Sequence, residues 1–355
     1  MGALTGIKSD VFWRNKKVLI TGHTGFKGSW LSYWLTTSGA SLCGLSLNPI
    51  TVPSLWNELE LDLGEFDIRA DIRSQDWVQK VSDFAPEIVF HLAAQPLVVT
   101  GWQDPLLTFD TNVIGTGNLL KELNAMPTVK TILVVTTDKV YKLDEQIITR
   151  KETDELGGKD PYAASKAAVE LLVAAWPIRE DIRIATARSG NVIGGGDWSE
   201  DRLIPDIIRA GVSGTSLEIR NPKAIRPWQH VVEPLYGYLS MAKSMAEGSL
   251  TVSAMNFGPA PENQITVEEI IEYCLKVLPQ EYSFSTLFTP EKYKESEFLL
   301  LDSSVAKTLL DWKPLLSWKE AVELSLDWYV KFNTGNNPKL LIEHDIARYL
   351  IELEK

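Results

Sequence analysis

The stretch KVLITGHTGFKG, Lys17 to Gly28, decides the fold. Its first half, Lys17–Thr21, is a short apolar run ending at a glycine, the pattern of a buried strand. Residues 26–38 then read as a helix stopped by Gly39. Gly22, Gly25 and Gly28 lie between the two, spaced G-x-x-G-x-x-G rather than the commoner G-x-G-x-x-G. Glycines at a strand-to-helix turn let the backbone approach a pyrophosphate, whose charge then sits at the helix N-terminus. The position predicts that Gly22, His23, Thr24, Gly25, Phe26, Lys27 and Gly28 cradle a dinucleotide. His23 reads equally as a phosphate contact or as a structural residue.

Working outward, strands are expected at 41–47, 66–72, 88–94, 132–137 and 182–188, with helices between them. Residues 104–126 form one long helical pattern, apolar every three or four positions. Strictly alternating strand and helix imply an α/β protein with a Rossmann-type doubly wound parallel sheet. After Ser189 glycine, proline, tryptophan and arginine become frequent. We therefore expect an NAD-binding domain at 12–188, to which a strand near 252–259 returns. A smaller mixed α/β C-terminal substrate-binding lobe, interleaved with it, is expected at 189–335, and a helical tail at 336–355.

Bulk properties exclude several classes. The 355 residues are 45% hydrophobic and 23% charged, with a net charge of −12 and no basic block. Nucleic acid and anionic membrane are therefore not expected partners. No apolar run reaches the length that spans a bilayer, and no secretory signal is visible. Cys43 and Cys274 sit in apolar surroundings and read as buried, reduced thiols of a reducing compartment. No metal site is expected.

An acidic residue normally ends the second strand and holds the adenosine ribose of NAD. Here LSLNPIT offers only Ser46 or Asn48, and no arginine follows for a 2′-phosphate, so NAD is favoured over NADP. Asp71 and Ile72 close the third strand, where an adenine edge would lie. Small residues in HLAA place Leu92, Ala93 and Ala94, with His91, along the cofactor's path.

The chemistry is expected at ILVVTTDKVY, residues 132–141, and DPYAASK, residues 160–166. Asp160 suits an N-cap and Pro161 the first helical position. Tyr162 and Lys166 then share one helix face. An ammonium beside a phenol favours the phenolate, lowering a pKa of about 10. A phenolate can take an alcohol's proton while the hydride leaves for nicotinamide.

TGHTGFKG, HLAAQ, TTDKVY and YAASK together resemble the extended short-chain dehydrogenase/reductase family, and the likeness runs through LLLDSSVAKTLLDWKPLLSWKEAVELSLDWY near the C-terminus. The resemblance implies NAD as cofactor, Thr137 bonded to a sugar 4-hydroxyl, and Tyr162 with Lys166 as the redox pair; Thr136 joins the cofactor set. Epimerases of the family follow the threonine with small or uncharged residues, whereas 4,6-dehydratases place an acid there. Asp138-Lys139, with GHTGFKGSWL and GNVIGGGDW, resembles the dehydratases that act on CDP-linked hexoses. That implies a hydro-lyase with a CDP-sugar substrate, Asp138 as proton donor to a departing hydroxyl, and Lys139 as carbon-5 base or as the group that orients a water. The same fold serves dTDP-glucose and GDP-mannose dehydratases, 4-epimerases and NAD(H) sensors.

For the substrate, Arg226 in AIRPWQHV and Asn191 in SGNVIG match phosphate-contacting positions, although Pro227 stands where the family has aspartate. Gln95 and Leu203 are further substrate candidates. Arg202 in EDRLIP and Arg188 are weaker ones, with surface salt bridges as their plain alternative, and Trp228 is either core or a sugar-face residue. The resemblance also implies a cytoplasmic homodimer or homotetramer, joined through the long helices after strands four and five. In bacteria such an enzyme would supply deoxyhexoses for lipopolysaccharide O-antigen.

Overall fold

The computed structural model describes residues 11–142, 149–260, 264–289 and 300–355. Residues 1–10 lie outside them. Seven strands form one wholly parallel sheet. Their spatial order is Ala254–Phe257, Arg183–Ser189, Thr131–Val135, Ile88–His91, Lys17–Thr21, Ser41–Ser46 and Asp67–Arg69. The chain winds outward from Lys17–Thr21 in one direction, then restarts at Ile88–His91 and winds the other way. The crevice beyond the carboxyl ends of those two strands is where such sheets bind ligands.

The strands are apolar on both sides because helices cover both faces. Val18 and Ile20 point into one core, with Trp30, Leu31 and the tryptophan-rich second lobe. Leu19 points into the other, with Cys43, Leu45, Trp77 and Leu120. Both cysteines are free and buried, and burial pushes their thiols up to about 12.

Three local differences from the sequence expectation have physical causes. The third strand is only Asp67–Arg69, an edge strand, and the chain turns at 71–74 where Asp71 accepts from the Arg73 amide at 2.9 Å. The 104–126 helix carries a π turn at Asp110–Ile114. That bulge aims Asn112 inward, where its amide accepts from the Gln95 N–H at 2.8 Å and donates to Ser165 at 2.9 Å. The terminal helix Pro338–Leu353 is no free-standing tail: Leu341, Ile342, Ile346 and Tyr349 are buried in the same core as Trp30.

Strands of the second lobe are short pairs. Arg226 lies on Ile225–Pro227, paired antiparallel with Gln264–Thr266. Gln229–His230 runs parallel to Val192–Ile193, which fixes Asn191 at the sheet's edge. Among the described residues no helix is long and apolar enough to cross a membrane, and no group of three or more His, Cys, Asp or Glu could hold a metal ion.

Candidate active site

A cavity of about 730 Å³ opens at the crevice and runs from the glycine turn into the second lobe. That is ample for a sizeable small-molecule ligand. Its walls include the loop at 22–28, Ser46 to Thr51, Asp71 and Ile72, Leu92 to Gln95, Thr136 to Lys139, Tyr162 and Lys166. From the second lobe come Asn191, Arg202, Leu203, Arg226 and Trp228. Of the site residues expected from the sequence, His23, His91 and Arg188 are not on this wall, and the others are.

The glycine turn has the form a pyrophosphate needs. Gly22 has φ +72°, and a Cβ there would lie 2.7 Å from the Ala93 nitrogen. A Cβ on Gly28 would lie 2.1 Å from the Gly22 carbonyl oxygen. Gly25 caps the Phe26–Thr37 helix with no side-chain cap, and no acidic residue occupies its first turn. The helix thus offers uncapped amides and a positive dipole end to an anion. The donor set fits NAD.

His23 is corrected from a cofactor ligand to a support beneath the loop. Its ring is fully buried, Nε2 lies 2.8 Å from an Asp67 oxygen, and Trp56 packs edge-on at 4.5 Å. Gly44, in the middle of the second strand, leaves room for it: a Cβ there would come within 2.5 Å of the imidazole. Burial lowers the His23 pKa, against the opposing pull of Asp67. A glycine inside an apolar strand was the sequence signal for this contact.

His91 is likewise structural rather than part of the cofactor's path. Its Nδ1 lies 2.6 Å from Thr21 and its Nε2 2.8 Å from Thr116, and burial pulls it down to about 3. Gln95 reaches the cavity wall, but its amide is engaged by its own loop: Nε2 donates to Thr108 at 2.9 Å, and Oε1 accepts from the Leu97 N–H at 2.6 Å. It shapes the site instead of offering a free amide to substrate. Thr136 lines the wall with its backbone while its hydroxyl donates to Glu170. Asp71 is clasped by Arg73 at 2.7 Å, and that partner holds its carboxyl below the usual range.

Arg188 leaves the substrate set altogether. It forms a buried pair with Glu170 at 2.7 Å and donates to the Tyr141 hydroxyl at 2.7 Å, which donates to Asn256 at 2.7 Å. Thr186 adds a bond to Glu170 at 2.6 Å. This network stands behind the catalytic strand and helix, and no sequence spacing announced it. Trp228 is buried among the core residues of the second lobe, 4% exposed, with its edge at the cavity.

The chemical end is built by one strand terminus and one helix. Thr137 caps a single helical turn, Asp138–Val140, at the end of Thr131–Val135. Asp160 accepts from the Ala163 N–H at 2.9 Å and starts the Pro161–Ala175 helix. Thr137 donates to Asp138 Oδ1 at 2.9 Å, and it shares the cavity wall with Tyr162. Asp138 is 2% exposed, and its Oδ2 has no partner among the described residues. Burial raises its pKa, against the pull of Lys139, Thr137, Arg226 and Lys27. A raised carboxyl pKa is the direction that a proton donor needs.

The tyrosine departs from expectation. Burial pushes Tyr162 up to about 12, opposed chiefly by Arg202 and Thr137. Lys166 donates to the Val135 carbonyl at 3.1 Å instead of the phenol, and burial pulls it down to about 8, against Glu170. Arg202, whose Nε is buried with no partner among the described residues, is the stronger cation toward the phenol. Lys27 was expected on the cofactor, yet its amine donates to Ser189 at 2.9 Å beside Tyr238. Burial, then Arg202, pull it down to about 7. Lys139 lies half-buried on the cavity wall next to Asp138.

A family model for the NAD dependent epimerase/dehydratase family matches residues 18–252. The chain is 40% identical over 352 residues to the CDP-glucose 4,6-dehydratase of Salmonella typhimurium, covering 96% of this chain and 97% of that protein. Among solved structures it is similar to the epimerase Mth375 of Methanothermobacter thermautotrophicus, with a TM-score of 0.80 at 23% identity over 92% of this chain and 96% of that one. It also resembles the Bacillus anthracis dTDP-glucose 4,6-dehydratase in complex with NAD, with a TM-score of 0.73 at 20% identity over 91% and 99%. The chain therefore belongs to the NAD dependent epimerase/dehydratase family, the extended branch of the short-chain dehydrogenases/reductases. It is an NAD-dependent enzyme of the hydro-lyase class, a nucleotide-sugar 4,6-dehydratase.

Proposed function

We propose that the enzyme converts CDP-D-glucose to CDP-4-keto-6-deoxyglucose. The supporting observation is Asp138: a buried carboxyl whose pKa burial raises, held by the Thr137 hydroxyl at 2.9 Å on the same cavity wall as Tyr162. An epimerase has no leaving group to protonate and no use for such an acid. The 40% relative, matched end to end, favours the cytidine nucleotide.

Thr137 holds the sugar's 4-hydroxyl against Tyr162, which takes its proton as carbon 4 is oxidised. NAD would supply the hydride acceptor for carbon 4 and the donor for carbon 6, and its oxidised form would add positive charge that favours the phenolate. The ketone acidifies carbon 5. A base removes that proton while Asp138 protonates the 6-hydroxyl, which leaves as water; carbon 5 takes a proton back as the hydride reaches carbon 6. Lys27, Lys139 and Lys166 are the amines on the cavity wall, and burial brings Lys27 to about 7 and Lys166 to about 8. Arg202, Arg226 and Asn191 face the same cavity and supply the donors that a diphosphate requires. Ser46 and Asn48 on the wall take the ribose, in place of the usual acid. Leu106, Phe109, Ile114 and Leu171 are exposed on the long helices and favour a homodimer through them.

Incubation with CDP-glucose, dTDP-glucose or GDP-mannose, each with NAD⁺, tests the reading. A 4-keto product, which absorbs in alkali, is expected from the CDP sugar. Turnover of another nucleotide in its place moves the specificity. A 4-epimer without absorbance overturns the elimination.

A further inference from the structure

Behind the cavity wall, one carboxylate is tied to both halves of the chemical end. Glu170 follows Tyr162 and Lys166 at steps of four residues, so all three share a face of the Pro161–Ala175 helix. It is 4% exposed, and neither it nor Arg188 reaches the cavity wall. Both of its oxygens are fully engaged. Oε1 accepts from the Thr136 hydroxyl and from Arg188 Nε at 3.0 Å. Oε2 accepts from the Thr186 hydroxyl at 2.6 Å and from Arg188 Nη2 at 2.7 Å. Four donors, two of them from one rigid guanidinium fork, leave this carboxylate a single orientation.

We propose that the Glu170–Arg188 pair is a positioning device that fixes the turn carrying Asp138 against the helix carrying Tyr162. The inference rests on the catalytic roles proposed above. The pair grips that turn on either side. Before it stands Thr136, bonded to Glu170. After it stands Tyr141, whose hydroxyl accepts from Arg188 Nη1 at 2.7 Å and donates to Asn256 at 2.7 Å. The guanidinium also lies 5.0 Å from the centre of the Tyr141 ring. Strung between these two anchors are Thr137 and the single helical turn Asp138–Val140. Lys166 adds a tie from the same helix face, donating to the Val135 carbonyl at 3.1 Å.

Asp138 and Tyr162 belong to different elements, so their separation is set by whatever braces one element against the other. Core stability alone does not call for this brace. Burying two charges costs about as much as their pairing returns, and apolar side chains of similar volume fill such a space as well. What the ion pair adds is direction. The chemistry needs it, because a displacement of about 1 Å at a reacting group can cost about 10²-fold in rate.

Two hydroxyls on the one carboxylate provide the test, with CDP-glucose and NAD⁺ as substrates. Thr136→Val and Thr186→Val each take one buried donor from Glu170, the first at the catalytic strand end and the second on Arg183–Ser189. Both should lower the melting temperature. Only Thr136→Val should lower kcat, about tenfold, with KM for the sugar nucleotide and NADH affinity unchanged. Tyr141→Phe releases the other anchor and should act likewise, whereas Thr136→Ser keeps the hydroxyl and should keep the rate. Replacing both charges, Glu170→Met with Arg188→Met, should leave a folded enzyme that binds NADH. Its kcat should be about 100-fold below wild type. Equal losses of rate in the two valine variants, or a wild-type kcat in the double methionine variant, overturn the positioning role. A wild type that forms no 4-keto sugar overturns the reaction itself, and this role with it.

Discussion

The two ends of the cavity are made of different material. The nucleotide end is backbone: Gly22 at φ +72°, Gly28 within 2.1 Å of a carbonyl if given a Cβ, and a helix opening on uncapped amides. The chemical end is side chains, with Thr137, Asp138, Tyr162, Lys166, Lys27 and Arg202 converging on one wall. Backbone recognition is local and nearly charge-neutral. Side-chain chemistry depends on how burial and distant charges set each group's proton affinity. Removing atoms should therefore hurt the chemical end, while adding atoms should hurt the nucleotide end.

The largest effect expected is at the chemical end. Tyr162→Phe removes the base for the 4-hydroxyl and should lower kcat about 10²–10⁴-fold with NAD binding intact, checked by product absorbance in alkali and by fluorescence titration of NADH. Asp138→Asn should slow water loss about 10²-fold and let reduced NAD accumulate, seen as a rise in absorbance at a wavelength of about 340 nm. Wild-type rates for Asp138→Asn would erase the distinction drawn between this site and an epimerase.

The nucleotide end answers to added bulk. Gly44→Ala lies outside the cavity wall, but it drives a methyl into the His23 ring. It should cost about 1–3 kcal/mol of stability in thermal unfolding and weaken NAD binding in the same variant. Unchanged NAD affinity would separate the loop from its support.

Lys27 straddles the comparison, with its backbone in the glycine helix and its amine at the chemical end. Its folded pKa of about 7 lies below the unfolded value of about 10.5. Between those two values the unfolded chain binds the extra proton, so this group makes stability rise with pH across that window. Lys27→Met should therefore be more stable than wild type at pH 7, by on the order of 1–3 kcal/mol, with the gain fading toward pH 10. Melting temperatures across that range check the slope, and a gain that grows with pH would refute it.

The same contrast explains what could be read from the sequence. Strand order, the glycine turn and the Tyr162–Lys166 helix follow from local periodicity and turn chemistry, which short windows contain. The environment of Tyr162 does not: the expected ammonium of Lys166 is turned to Val135, and the governing cation is Arg202, 40 residues further on and in the second lobe. For His23 the sequence left a phosphate contact and a structural role level, because its loop is local whereas its partner Asp67 lies on a strand 44 residues away. The π turn that aims Asn112 at Gln95 and Ser165 left only a polar residue in an apolar stripe. Contacts that span the whole fold carry no local signature, and the proton affinities of the site are set by such contacts.

The helix Pro338–Leu353 closes over the front of the first helix. Glu343 accepts from the Tyr33 hydroxyl across 310 positions of chain, and Tyr349 packs on Tyr236, which stacks on Trp34. A ribosome making this polypeptide must therefore finish residue 349 before the outer side of the earliest helix can be covered. Nascent chains would carry Trp34 and its neighbours uncovered for most of translation. A holdase that captures aromatic surface would have its longest opportunity there.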